Sequence, residues 1–155
     1  MKNLNNPKSS DRLLRWSIVA VAFLGFADAL NLTIAKLTQN RQMCLAGVGD
    51  CWSVNNSPFS EIFGVPIALL GAIAYIAIVI FTLLDHTNDF WRVNAPLILF
   101  GITLTGTLYS AYLTYVELVI LKTICRFCVA SAIAMLILLL LSSLRLYNHQ
   151  LKSMT

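Results

Sequence analysis

Four long apolar stretches divide the chain, from about Trp16 to Ala35, Gly64 to Leu84, Ala95 to Val116 and Thr123 to Leu144. Each approaches the ~20 residues that a helix needs to cross ~30 Å of hydrocarbon. The second and third carry no charged side chain, the first holds one acid, Asp28, and the fourth has Arg126 in its first turn. Lipid tolerates only helices or closed barrels, and uninterrupted apolar runs lack the two-residue alternation of a barrel strand. The pattern therefore predicts an all-α membrane protein, a four-transmembrane-helix bundle with helices over about 14–36, 64–84, 95–116 and 123–145. They form one membrane domain, 13–146, between polar tails at 1–12 and 147–155. No repeat, low-complexity tract or second domain interrupts it.

The connections differ in length. Leu37 to Phe63 is long, Asp85 to Asn94 is short and polar, and Glu117 to Thr123 is short. Within the long one, Ser57 followed by Pro58 reads as a helix N-cap with proline at the first helical position, and Glu61 adds negative charge near the opening turn. A short interfacial helix is expected over about Pro58–Phe63, with Phe59, Ile62 and Phe63 on its apolar side and Gly64 and Pro66 ending it.

Composition agrees: 58% of the 155 residues are hydrophobic, 12% are charged, and the mean hydropathy is +0.76. Soluble domains carry about 25% charged residues. The net charge of +4 is spread over the tails and loops without a basic run, which argues against nucleic-acid binding. Seven basic residues (Lys2, Lys8, Arg12, Arg15, Arg92, Arg145 and Lys152) flank one side of the predicted spans, and four (Lys36, Arg41, Lys122 and Arg126) the other. The positive-inside rule then places both termini in the cytoplasm. The first apolar run is longer than a signal-peptide core and lacks a clean cleavage site, so it is expected to remain as a span.

All four cysteines fall on the opposite, extracytoplasmic side, where disulfides persist: Cys44 and Cys51 in the long loop, Cys125 and Cys128 at the start of the fourth helix. Residues i and i+3 share a helix face, so Cys125 and Cys128 can close a small disulfide ring. The helix N-terminus and Arg126 both favour thiolate. One turn deeper, Cys128 reaches the edge of the hydrocarbon, where a lipid-soluble oxidant such as a quinone can meet it. A lone C-x-x-C also suits a metal ion or a structural staple. Four cysteines could bind zinc, but the spacing of Cys44 and Cys51 is unlike the usual paired knuckles, and no metal is expected. A structural pair in the loop is plausible alone. Its position beside a C-x-x-C favours redox exchange over a non-enzymatic tetraspan braced by disulfides.

The order Cys44-x6-Cys51-x5-Ser57, then Phe63-Gly64-Val65-Pro66, Tyr112-Leu113-Thr114-Tyr115 and Cys125-x2-Cys128 resembles the bacterial homologues of the vitamin K epoxide reductase family, over about residues 13–145. The resemblance implies an enzyme, a quinone-dependent thiol/disulfide oxidoreductase in a bacterial-type inner membrane, supporting disulfide formation. It implies Cys125 and Cys128 as the active-site pair, with Cys128 nearest the quinone, and Cys44 and Cys51 as the loop pair. Cys51 would exchange with Cys125, Cys44 would meet the partner, and Ser57 would belong to the active region. The implied partner is a separate thioredoxin-fold (DsbA-like) thiol protein. Ala132 stands where the vertebrate enzymes place a quinone-holding tyrosine, and the second helix has no asparagine. Menaquinone or ubiquinone is therefore expected rather than vitamin K epoxide. The DsbB-type reductases carry their C-x-x-C in the first outer loop, so the order here disagrees with theirs.

Asp28 is an ionisable group within a span and so a functional candidate by default, with Asn31 on roughly the same face. It is expected near the quinone as a proton acceptor; the alternative is an interior acid that fixes packing. Tyr112, Tyr115 and Glu117 lie at the outer end of the third helix, where tyrosines usually form an interfacial belt. His86 and His149 are expected on the cytoplasmic side, away from the cysteines.

Overall fold

The computed structural model describes residues 7–40, 42, 50–85 and 87–154; Cys44 and His86 lie outside the described residues. Helix α1 spans Pro7–Leu37, α2 is a short helix over Cys51–Asn55, and α3, α4 and α5 span Ile67–Leu84, Asp89–Tyr115 and Arg126–Met154. Helix α4 continues as a π-helical turn over Val116–Leu121. The long helices α1, α3, α4 (with its π turn) and α5 are each long and apolar enough to cross a membrane.

Three of these helices outrun the apolar stretches. Helix α1 opens on Pro7, whose missing N–H costs nothing in a first turn. Helix α4 starts at Asp89, after an extended Asn88 and with an acid in its first turn, both favourable at a helix start. Residues 145–154 contain no glycine or proline, so nothing stops α5 at the edge of the hydrocarbon.

The loop after α1 departs from the expected Pro58–Phe63 helix. Pro58–Ser60 makes one 3-10 turn and stops, and Glu61–Ile62 (β1) pairs antiparallel with Val65–Pro66 (β2). Phe63 and Gly64 form the two-residue turn, both at positive φ (53° and 79°). That conformation fits the right-handed twist of a hairpin and cannot continue a helix. The loop's helical segment is instead α2, capped by Asp50, whose carboxylate accepts from the Ser53 backbone N–H.

The long helices form a closed ring in which α1 packs on α3, α3 on α4, α4 on α5 and α5 on α1. Tyr75 of α3 is wholly buried and joins three of them. Its hydroxyl lies 2.9 Å from Ser131 Oγ and 3.2 Å from the Ser131 carbonyl on α5. Its ring lies against Gly25 of α1, where an added Cβ would fall 2.3 Å from Tyr75 Cζ. Thr103 and Ser142 join α4 to α5 through hydroxyls 2.9 Å apart, and Asp85 pairs with Arg145 at the C-terminal end of α3. The outer face is apolar: Phe23, Leu24, Leu97, Leu108 and Leu140 are all exposed, as lipid-facing side chains should be.

The close contact at Gly25 predicts that Gly25→Ala lowers stability by about 1–3 kcal/mol through overpacking against Tyr75. Tyr75→Phe, which loses only the hydroxyl bonds, should cost about 1 kcal/mol. Thermal melts of the detergent-solubilised variants measure both; a Gly25→Ala chain melting with the wild type would contradict the packing.

Candidate functional site

The first N–H groups of a helix need acceptors, and at the start of α5 a sulfur supplies one. Cys125 immediately precedes the helix, its carbonyl accepts from Val129 N–H at 3.0 Å, and its Sγ accepts from Cys128 N–H at 3.3 Å. Cys125 is thus an N-cap residue whose capping atom is its thiol sulfur. The thiols of Cys128 and Cys51 also donate to that sulfur, and together with the Cys128 and Phe127 amides they hold its pKa down at about 4, against the burial that opposes them. Arg126, the cation expected to favour the thiolate, is exposed and not among these groups. The hydrogen-bond donors of the helix start outweigh it.

Cys125 has no solvent exposure and Cys51 is buried, while Cys128 is partly exposed. All three share one packed cluster with Leu32, Ala35 and Val54. The loop that carries Cys51 is fastened to α1 at two points. Asn55 donates its side-chain amide to the Leu32 carbonyl at 3.0 Å. Lys36, buried, donates to Ser60 Oγ at 2.8 Å and pairs with Glu61 at 2.9 Å. Ser60 Oγ in turn reaches the carbonyls of Asn55 and Ser57.

Beside Cys128 a cavity of about 500 Å³ lies within the ring of helices, under the hairpin loop. Its walls are mostly apolar, with Ile102, Leu113 and Met135 among them, and the polar residues on it include Ser57, Tyr109, Glu117 and Cys128. A volume of 300–1,000 Å³ with apolar walls and sparse polar groups is typical of small-molecule sites. Neither Cys125 nor Cys51 lines it. Cys128 alone of the described cysteines meets both the cavity and the Cys125 sulfur.

Glu117, grouped in the sequence with belt tyrosines, belongs to this centre. It is 2% exposed, and its Oε2 accepts the Cys125 N–H at 3.2 Å. A carboxylate oxygen of Glu117 and the sulfurs of Cys125 and Cys128 lie within 4.8 Å of one another. The π turn brings it there by shifting the helix face that α4 would otherwise present; such turns are rare and frequent at functional sites. Lys122, at φ 50°, then reverses the chain into α5.

The remaining expected residues fall as follows. Ser57 is buried on the cavity wall, its hydroxyl donating to the Val54 carbonyl at 2.8 Å. Asp28 is half-buried on α1 but is not among the cavity-lining residues; its Oδ2 is buried without a hydrogen-bond partner, and it lies within electrostatic reach of Cys125 and Tyr75. Asn31 is exposed, and its side-chain amide donates to the Ala27 carbonyl. Tyr112 and Tyr115 are exposed, as belt residues are.

A sequence profile described as the vitamin K epoxide reductase family matches residues 16–143. The chain belongs to that family. Within its curated relatives, a protein of Arabidopsis thaliana named thiol-disulfide oxidoreductase LTO1 is 32% identical over 110 residues, 68% of this chain. This chain spans 29% of that relative's length. The family's multi-pass, all-helical membrane character agrees with the four spans described above.

Reduced Cys125 should carry a thiolate at neutral pH and lose it as the pH falls through about 4. The sign follows from a pKa lowered from the ordinary thiol range: the charged form persists far below that range and disappears only in acid. Thiolate absorbance near 240 nm, titrated in the reduced chain against Cys125→Ala, should show this transition in the wild type alone. A transition near pH 8 to 9 that Cys125→Ala removes, with none near 4, would contradict the capping role of the sulfur.

Proposed function

We propose that this chain is a membrane thiol–quinone oxidoreductase that draws electrons from an extracytoplasmic thiol protein and so supports disulfide formation. One observation carries the reading: the buried Cys125 packs in one cluster with Cys51 of the loop and with Cys128, which lines the cavity. An electron pair entering from the loop has a continuous path of thiol–disulfide exchanges to the cavity.

In this cycle a thiolate of the partner, a separate thioredoxin-fold protein, attacks a Cys44–Cys51 disulfide. Cys51, released, attacks Cys125 and frees Cys128; the partner's second thiol displaces Cys44, and Cys44 re-forms its bond to Cys51 and releases Cys125 as thiolate. Cys125 and Cys128 then close again as their two electrons leave through Cys128. Each exchange is a thiolate displacement whose direction follows the relative reduction potentials. The depressed pKa of Cys125 makes it a good leaving group when Cys44 attacks Cys51 in the Cys51–Cys125 disulfide. The walls of the cavity suit a quinone headgroup: Ile102, Leu113 and Met135 would offer apolar surface to a ring, and Ser57 and Tyr109 polar groups to its oxygens. Bound there, menaquinone or ubiquinone supplies a two-electron, two-proton acceptor. Asp28 stands behind the cavity wall, within electrostatic reach of Cys125.

The name of the plant relative agrees with this chemistry at the level of thiol–disulfide exchange. A tetraspan held by structural disulfides needs no third thiol; here Cys51, Cys125 and Cys128 converge, which favours exchange over bracing. The charge distribution supports a plasma-membrane orientation with residues 13–146 as the membrane domain, the tails 1–12 and 147–155 cytoplasmic and the cysteines outside.

Cys128→Ala should abolish quinone reduction with any thiol donor. Cys44→Ala should block reduction driven by a protein partner while sparing dithiothreitol. Quinone absorbance in detergent reports both; a Cys128→Ala chain that still turns over removes the proposed path. In spheroplasts, after reduction, an impermeant maleimide should label the loop cysteines from outside, and labelling only after lysis would reverse the orientation.

A further inference from the structure

Oxidation of the Cys125–Cys128 pair has to dispose of a proton that neither sulfur can keep. With Cys125 held as thiolate, the pair starts as one thiolate and one thiol. Closing the disulfide removes two electrons and the Cys128 proton. Passing that proton to Cys125 would neutralise the sulfur whose lone pair forms the new S–S bond. A separate acceptor beside Cys128 is needed.

We propose that Glu117 is a catalytic residue, the base that takes the Cys128 thiol proton and delivers it into the cavity. This rests on the quinone reading above and deepens it. A Glu117 carboxylate oxygen and the Cys128 sulfur lie within 4.8 Å of each other. Its two oxygens have different surroundings: Oε2 accepts the Cys125 N–H at 3.2 Å, while Oε1 is buried with no hydrogen-bond partner. A buried carboxylate oxygen left without a donor is costly and marks a place where a proton can be received. Glu117 also lines the cavity, so the proton can leave toward a bound acceptor without crossing apolar packing. Asp28, the other interior acid of this end, does not line it.

The step balances. The electron pair of the Cys128 S–H bond stays on sulfur, and the proton moves to Glu117. The sulfurs of Cys125 and Cys128 then bond to each other as two electrons pass to quinone, and quinol takes one proton from Glu117 and one from water. Glu117 ends as the carboxylate with which it began. The bond from Cys125 N–H holds the carboxylate in place throughout, so the same residue ties the helix start to the proton path.

Alkylation of Cys128 by N-ethylmaleimide in the reduced, quinone-free full chain tests the base directly, because only thiolate reacts. Glu117→Gln should slow it, and should also slow single-turnover reduction of ubiquinone-1 by about 100-fold, the size usual for a lost general base. Glu117→Ala should be slow as well and should recover at least part of both rates with added formate, which a purely structural role would not allow. Glu117→Gln alkylating and reducing ubiquinone-1 within about threefold of wild type, well short of the loss of a general base, overturns the proposal. So does a slow Glu117→Ala that formate leaves unchanged. If the wild type leaves ubiquinone-1 unreduced while Cys128 alkylation still depends on Glu117, the quinone reading fails and the base assignment stands for another acceptor.

Discussion

A helix that begins inside a membrane protein has to find acceptors for its first N–H groups without help from water. At the start of α5 the Cys125 sulfur takes the Cys128 N–H, and the Cys125 N–H goes back to Glu117 at the end of α4. Much else at this end of the bundle follows from that exchange. It fixes the two cysteines one turn apart, orients Cys128 to the cavity, and sets Cys125 against the loop. It also joins structure to reactivity, since the bonds that begin the helix are among those that stabilise the thiolate. Replacing the sulfur would disturb the helix start as well as the chemistry.

The cavity depends on a second fastening. Helix α2 has five residues, too few to stand alone in water. Its position comes from α1, through Asn55 on the Leu32 carbonyl and Lys36 on Ser60 and Glu61. A buried lysine is usual only when paired, and here the pairing closes the loop over the cavity. Tyr75 does the corresponding work deeper in the ring, holding α1, α3 and α5 at a separation set by a glycine.

The bundle was legible in the sequence because the bilayer imposes one simple demand, some twenty apolar residues per span, and four segments meet it. The grouping of Cys51, Cys125 and Cys128 was legible for a related reason: with four spans, parity puts the first and third connections on one side. What the sequence concealed was local. Pro58 after Ser57 reads as a helix start, yet Phe63-Gly64 turns the chain into a hairpin, and the two signals compete over too few residues to decide. Glu117 was visible as an acid at the end of an apolar run. Its direction was not, because that depends on a π turn that has no periodic signature. Lys36 and Asn55 looked like ordinary loop-edge polar residues, since their partners lie 24 and 23 positions away in the chain.

The complete burial of Cys125 has a consequence for traffic through the protein. A bulky thiol arriving from the aqueous side meets the loop first and cannot touch the inner sulfur without displacing Trp52, Phe127 or the clamp around Lys36. The inner pair is therefore insulated, much as a contact sheathed inside a plug is live only when the right pin enters. Bulky thiols are held off by packing, so which of them reach the inner pair is a matter of access before it is one of affinity.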